Sequence, residues 1–308
     1  MTRTWFITGA NRGLGRAFTT AALAQGDRVV ATARDPRTMA DLVDDRLTVL
    51  PLDVRDRDQA FATVNTAFEK AGTIDVIVNN AGYGMVGAIE ELTEAQIRDQ
   101  METNFYGALW VSQAATPHLR KQGTGHIVQI STVGAVGSLP LFGMYNASKW
   151  ALEGFSASLA DELRPFGIHV TLAQMGGFDT DWAKSSMKFG AGLPAYEPQR
   201  SAILGMPDYP TPEILAALLE STEDTTESTE AEPEWQEAAP EVAAQGLIAL
   251  IEMPNPPLRK VIGPGAHQMV AMALDQRRQD YLTDPEFTWP GSTPRDLEPD
   301  PGAASATD

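Results

Sequence analysis

Trp5-Phe6-Ile7-Thr8-Gly9-Ala10-Asn11-Arg12-Gly13-Leu14-Gly15 is the stretch on which the reading of this chain turns. An apolar run of strand length ends in Gly-x3-Gly-x-Gly, and residues 16–25 then follow a helical pattern. Positions without side chains let a backbone approach a pyrophosphate at a helix N-terminus, where unpaired N–H groups and the helix dipole favour an anion. The spacing is not that of the usual G-x-G-x-x-G fingerprint, and an isolated match is also what a glycine-rich turn looks like. Its place directly after the first strand favours the nucleotide reading.

Working outward, strand patterns cover residues 5–8, 27–33, 47–52, 74–78, 126–130 and 168–172. Helical patterns cover 58–71, 93–121 and 146–165 between them. Nearly continuous apolar strands alternating with crossover helices predict an α/β fold, a Rossmann-type doubly wound parallel sheet in a single domain over residues 1–283. Past Gly176 the order loosens into a substrate-lid region, about 177–258. A helix near 242–252, a strand near 260–262 and a helix near 266–281 close the domain.

The 308 residues carry a formal charge of −18, which argues against nucleic acid or an anionic membrane as partner. Between Glu220 and Glu241 there are nine acidic residues and no basic ones, so a mobile, solvated insertion is expected at about 220–241. Residues 284–308, rich in Pro, Asp and Gly, read as a loose tail. With no cysteine there is no disulfide or thiolate chemistry, and His118, His126, His169 and His267 show no ligand spacing, so no metal is expected. The chain enters its first strand without a cleavable apolar segment, and no apolar run reaches the ~18 residues of a membrane span. A cytoplasmic location is the expectation.

Tyr145 and Lys149 lie one helical turn apart in Tyr145-Asn146-Ala147-Ser148-Lys149. An ammonium beside a phenol can lower its pKa and fit it to protonate a developing alkoxide. Where an acidic residue after the second strand would bind the ribose 2′-hydroxyl of NAD, the chain has Ala33-Arg34, and no carboxylate until Asp35. Arg34 suits a 2′-phosphate and Arg12 can flank it, so NADP(H) is favoured over NAD(H).

Together these motifs resemble the short-chain dehydrogenase/reductase family, in its Gly-x3-Gly-x-Gly / Tyr-x3-Lys branch, over about residues 4–182. Asn79-Asn80-Ala81-Gly82 after the fourth strand, Asp53-Val54 after the third and Asn104 in Thr103-Asn104-Phe105 fall in the family's order. The resemblance implies cofactor contacts at Thr8, Gly9, Asn11, Arg12, Gly13, Leu14, Gly15, Arg34, Asp53, Val54, Asn80, Ala81, Gly82, Tyr145, Lys149, Gly176 and Thr180. It implies catalysis by Tyr145, Lys149, Asn104 and the residue thirteen before the tyrosine. That residue is Thr132, where the family has Ser. Ser131 beside it would point to the other side of the strand. The family's Pro-Gly after the sixth strand reads Met175-Gly176 here.

The implied activity is hydride transfer between NADP(H) and an apolar ketone, aldehyde or secondary alcohol, with Tyr145 as general acid/base. The texture leans toward members resembling 17β-hydroxysteroid and retinol dehydrogenases. Phe178, Trp182, Met187, Phe189, Leu193 and Tyr196 are equally readable as substrate contacts or as helix packing. Thr132 and the missing proline leave an NADP-binding regulator as the alternative, and an NAD-linked dehydrogenase differs only at Arg34 and Arg12. Family members associate through two long helices, so a homodimer or homotetramer is expected, with Trp110 and Trp150 as anchors or as core.

Overall fold

The structure, a computed structural model, describes residues 2–180, 186–210 and 238–288. Trp182, nearly all of the acidic insertion and most of the C-terminal tail lie outside the described residues. Seven strands form one parallel sheet in the order β3-β2-β1-β4-β6-β7-β9, from β1 (Thr4–Ile7), β2 (Arg28–Ala33), β3 (Leu47–Pro51), β4 (Val76–Asn79), β6 (Gly125–Thr132), β7 (Ile168–Met175) and β9 (Arg259–Ile262). The expected doubly wound sheet is the fold, with strand and helix limits within a few residues of those predicted.

Successive residues of a strand face opposite sides of a sheet, and β1 shows it. Trp5 and Ile7 pack with Phe18, Val29 and Leu247 beneath α1 (Gly13–Ala24) and the helix Pro240–Ile251. Phe6 packs with Val64, Phe68 and Leu119 on the other face, under α2 (Arg57–Ala71) and α4 (Gly107–Gln122). Both layers being covered, the indole N–H of buried Trp5 needs a partner, and it donates to Asp27 Oδ2 at 2.8 Å.

The long helix predicted over 93–121 is α3 (Glu94–Met101), a π-helical turn Glu102–Tyr106 and α4. The wider turn interrupts the regular hydrogen-bond ladder at Asn104, within what the pattern read as one continuous helix. A second, two-stranded sheet, which the strand patterns did not suggest, pairs β5 (Met85–Val86) with β8 (Lys188–Phe189). It ties the stretch past Gly176 to the loop after Asn79-Asn80-Ala81-Gly82. Trp110 is half-buried and stacks on Tyr106, whereas Trp150, on α5 (Gly143–Leu163), is exposed with Arg277 over its ring.

One buried group makes the fold sensitive to acid. His126 on β6 is 7% exposed, and burial, with the neighbouring His169, holds its imidazole down to about 3. Thr171 Oγ1 donates to the Pro257 carbonyl, so it accepts from His126 Nε2 at 2.9 Å. A base with a lowered folded-state pKa takes up its proton in the unfolded chain first, so stability is lost as pH falls from 6.5 toward 3. The loss is at most about 5 kcal/mol. His126→Gln is expected to flatten denaturant midpoints across that window, and an unchanged pH profile would refute the assignment.

Candidate active site

The carboxyl ends of β1, β2, β4, β6 and β7 open into one cleft of about 680 Å³. The glycine turn forms one wall. Gly13 opens α1 with φ +51°, a region that favours glycine, and the N-cap residue Arg12 makes no side-chain capping bond to the helix. A Cβ on Gly15 would overlap the Gly9 carbonyl oxygen and lie 2.5 Å from Asn80 Nδ2. The bare turn therefore sets the first turn of α1 against the loop from β4. Thr8 Oγ1 accepts from the Asn80 and Ala81 amides, both at 3.0 Å, and Asn80 Nδ2 donates to the Thr8 and Gly9 carbonyls at 2.9 and 3.1 Å.

Of the residues singled out for a cofactor, Gly9, Asn11, Arg12, Gly13, Leu14, Arg34, Asp53, Val54, Asn80, Ala81, Gly82, Gly176 and Thr180 line the cleft, as do Thr132, Tyr145 and Lys149. Thr8, Gly15 and Asn104 stand behind the wall and shape it. Thr180 packs against Gly13, with the glycine's absent Cβ 3.6 Å from the threonine Cβ. An extended dinucleotide fits this arrangement: open amides at one helix N-terminus, Arg34 exposed beside them, and a carboxylate, Asp53, further along.

Thr132 ends β6, half-buried, and its hydroxyl hydrogen-bonds the Tyr145 phenol. Burial pushes the phenol up to about 12, and the Thr132 bond works in the other direction. This differs from the expectation of a phenol lowered by Lys149. Lys149 Nζ instead donates to the Ile130 carbonyl at 2.7 Å, and burial brings its ammonium down to about 8. Asn104 clamps the loop after β4: its Oδ1 accepts from the Tyr83 amide at 3.0 Å and its Nδ2 donates to the Tyr83 carbonyl at 2.9 Å. Nδ2 also reaches Ser148 Oγ at 3.2 Å, on the same helix as Tyr145 and Lys149.

The rim of the cleft holds groups that sequence reasoning missed. Asp99 on α3 accepts from Arg55 Nη1 at 2.8 Å, Tyr83 Oη at 2.8 Å and Lys188 Nζ at 2.7 Å. Burial alone would raise its carboxyl, but these three donors outweigh it and hold it at about 2. Arg55 also forks onto Asp53, with Nη2 at 2.6 Å, so a carboxylate expected to contact the cofactor is engaged by a neighbour two residues on. The only signal in the sequence was that i, i+2 pairing; Asp99 and Lys188 are 89 residues apart. The apolar residues singled out past Gly177 divide. Phe178 lines the cleft, whereas Met187, Phe189 and Tyr196 pack around Val86, Leu141 and Tyr209.

Fold and site together define a short-chain dehydrogenase. The model of the short chain dehydrogenase family matches residues 3–189, and the chain belongs to that family as an oxidoreductase. Oxidoreductase BOA17 of Botryotinia fuckeliana is 37% identical over 279 residues, 89% of this chain and 94% of its own. Human 17-beta-hydroxysteroid dehydrogenase type 1 is 34% identical over 186 residues, 56% of each chain. The crystal structure of a short-chain dehydrogenase from Streptomyces avermitilis shares 33% identity and a TM-score of 0.77, covering 92% of this chain and 95% of that one.

Proposed function

We propose that the protein is an NADP(H)-dependent oxidoreductase acting on an apolar ketone or aldehyde, or in reverse on a secondary alcohol. The observation that carries this reading is the convergence of Thr132, Tyr145 and Lys149 on the same cleft as the uncapped start of α1. When bound, NADP(H) supplies or accepts the hydride. Tyr145, protonated throughout the physiological range at a pKa near 12, gives its proton to the substrate oxygen. Thr132 holds that oxygen through its hydroxyl. Lys149 lies one turn from Tyr145, against the strand-end carbonyl of Ile130, and replenishes charge and proton there. Asn104 fixes the loop and helix that carry these groups.

The preference for NADP(H) rests on Arg34. The next residue, Asp35, is turned onto Arg37, whose backbone N, Nε and Nη2 reach it at 3.0, 2.9 and 2.8 Å. This exposed pair adds little stability, but it engages the carboxylate that could otherwise accept from a ribose hydroxyl. Apolar substrate character is supported by Leu139, Phe142, Phe178 and Met269 in the cleft wall. It is also supported by the likeness to a 17-beta-hydroxysteroid dehydrogenase.

Fluorescence titration with NADPH and NADH tests the reading. Wild type is expected to prefer NADPH, and Arg34→Ala to weaken NADPH binding roughly tenfold while leaving NADH unchanged, as for loss of a charge-assisted phosphate contact. Unchanged NADPH affinity in Arg34→Ala would favour the NAD-linked alternative.

A further inference from the structure

Lys149 is 6% exposed, and its ammonium donates to the Ile130 carbonyl, a dipole that carries no full opposite charge. A buried charge is costly unless an opposite charge stands near. Glu153 follows one helical turn later on α5, 7% exposed, and its charge acts on Lys149 against the effect of burial.

The Glu153 carboxylate is fixed from three strands. Oε1 accepts from Ser131 Oγ on β6 and from Gln174 Nε2 on β7, each at 2.8 Å, and Oε2 accepts from Arg259 Nε on β9 at 3.1 Å. Ser131 and Gln174 are direct register partners, so the carboxylate spans the β6–β7 junction that ends in Thr132. Glu153 does not line the cleft. A buried carboxylate held this tightly gives less stability than a packed apolar side chain would. Its placement is explained by what it does to its neighbour.

We propose that Glu153 is a positioning residue for the proton relay: its carboxylate, held by Ser131, Gln174 and Arg259, keeps the Lys149 ammonium charged and in place beside Tyr145. The inference rests on the reading of Lys149 as part of that relay. Among the described residues, the titratable or charged groups around the pair are Tyr145 from α5 and Arg259 from β9. The facing parts of β6, β7 and the π-helical turn contribute Ser131, Thr132, Gln174 and Asn104, which stay neutral.

The direct test follows the Nζ resonance of Lys149 against pH in lysine-labelled, cofactor-free protein, so it reads out whether or not a substrate is found. In Glu153→Gln the titration midpoint falls by about one pH unit or more. In Arg259→Gln, at a half-exposed position, a competing cation is withdrawn and the midpoint rises. The high-pH limb of kcat for carbonyl reduction moves in the same direction in each variant. An unmoved Lys149 midpoint in Glu153→Gln, with only thermal stability lowered, would reduce Glu153 to a structural role and overturn the proposal. Should Glu153→Gln not fold, an unmoved or lowered midpoint in Arg259→Gln does the same.

Discussion

Tyr145→Phe is expected to lower kcat for carbonyl reduction about a thousandfold while leaving NADPH affinity essentially unchanged. The substitution removes one oxygen. The ring still fills its half-buried position on α5, so the cleft keeps its shape. What disappears is the group proposed to carry the proton. Thr132 cannot substitute, because an aliphatic hydroxyl is a far weaker acid than a phenol, and it also accepts from the Gly134 amide at 3.2 Å. The pH dependence has a definite sign. With the phenol near 12 and Lys149 near 8, reduction proceeds at neutral pH and declines as pH rises through 8. Alcohol oxidation, which needs the phenolate, is favoured as pH rises. Turnover of the Phe variant within tenfold of wild type, measured on a panel of apolar ketones, would remove Tyr145 from the mechanism.

Glu91→Ala is expected to destabilise the protein by about 3–5 kcal/mol, because it strands a buried guanidinium. Arg200 Nη1 meets Glu91 Oε1 at 2.7 Å, with side-chain exposures of 3% and 0%. Burial alone would raise the Glu91 carboxyl. The Tyr209 hydroxyl, the Leu193 and Ala88 amides and the Arg200 cation outweigh burial and leave it lowered. The same carboxylate thus gathers residues 193, 200 and 209 onto the short helix after β5. Loss of the pair is expected to lower Tm by roughly 10 °C and to raise KM, since Lys188 and Phe178 at the cleft belong to the same region. Glu91→Leu combined with Arg200→Met is expected to recover much of the Tm. A drop of under about 2 °C in Glu91→Ala would show that the pair does not fasten residues 193–209 to the short helix after β5.

Much of this was legible from periodicity and spacing. The strand Trp5–Thr8 and its glycine turn announced the sheet, and counting thirteen back from Tyr145 found the threonine that the structure puts beside the phenol. Ser131, expected on the other side of the strand, gives its hydroxyl to Glu153, although it also borders the cleft. The proton chemistry was less legible. Spacing shows that Lys149 is one turn from Tyr145, but not that burial outweighs the cation and leaves the phenol raised.

The sequence by itself determined the order of strands and helices, the open glycine turn and the identities of the groups at the strand ends, because these follow from local patterns of two to four residues. Only the tertiary structure decided which charges are buried and who faces them. Asp99 with Lys188, Glu91 with Arg200 and Glu153 with Arg259 pair across 89, 109 and 106 residues. The free energy of a charge depends on how much water is removed from it and on the opposite charge brought near, and both are set by chain segments that meet only when the sheet and the segments around it are assembled.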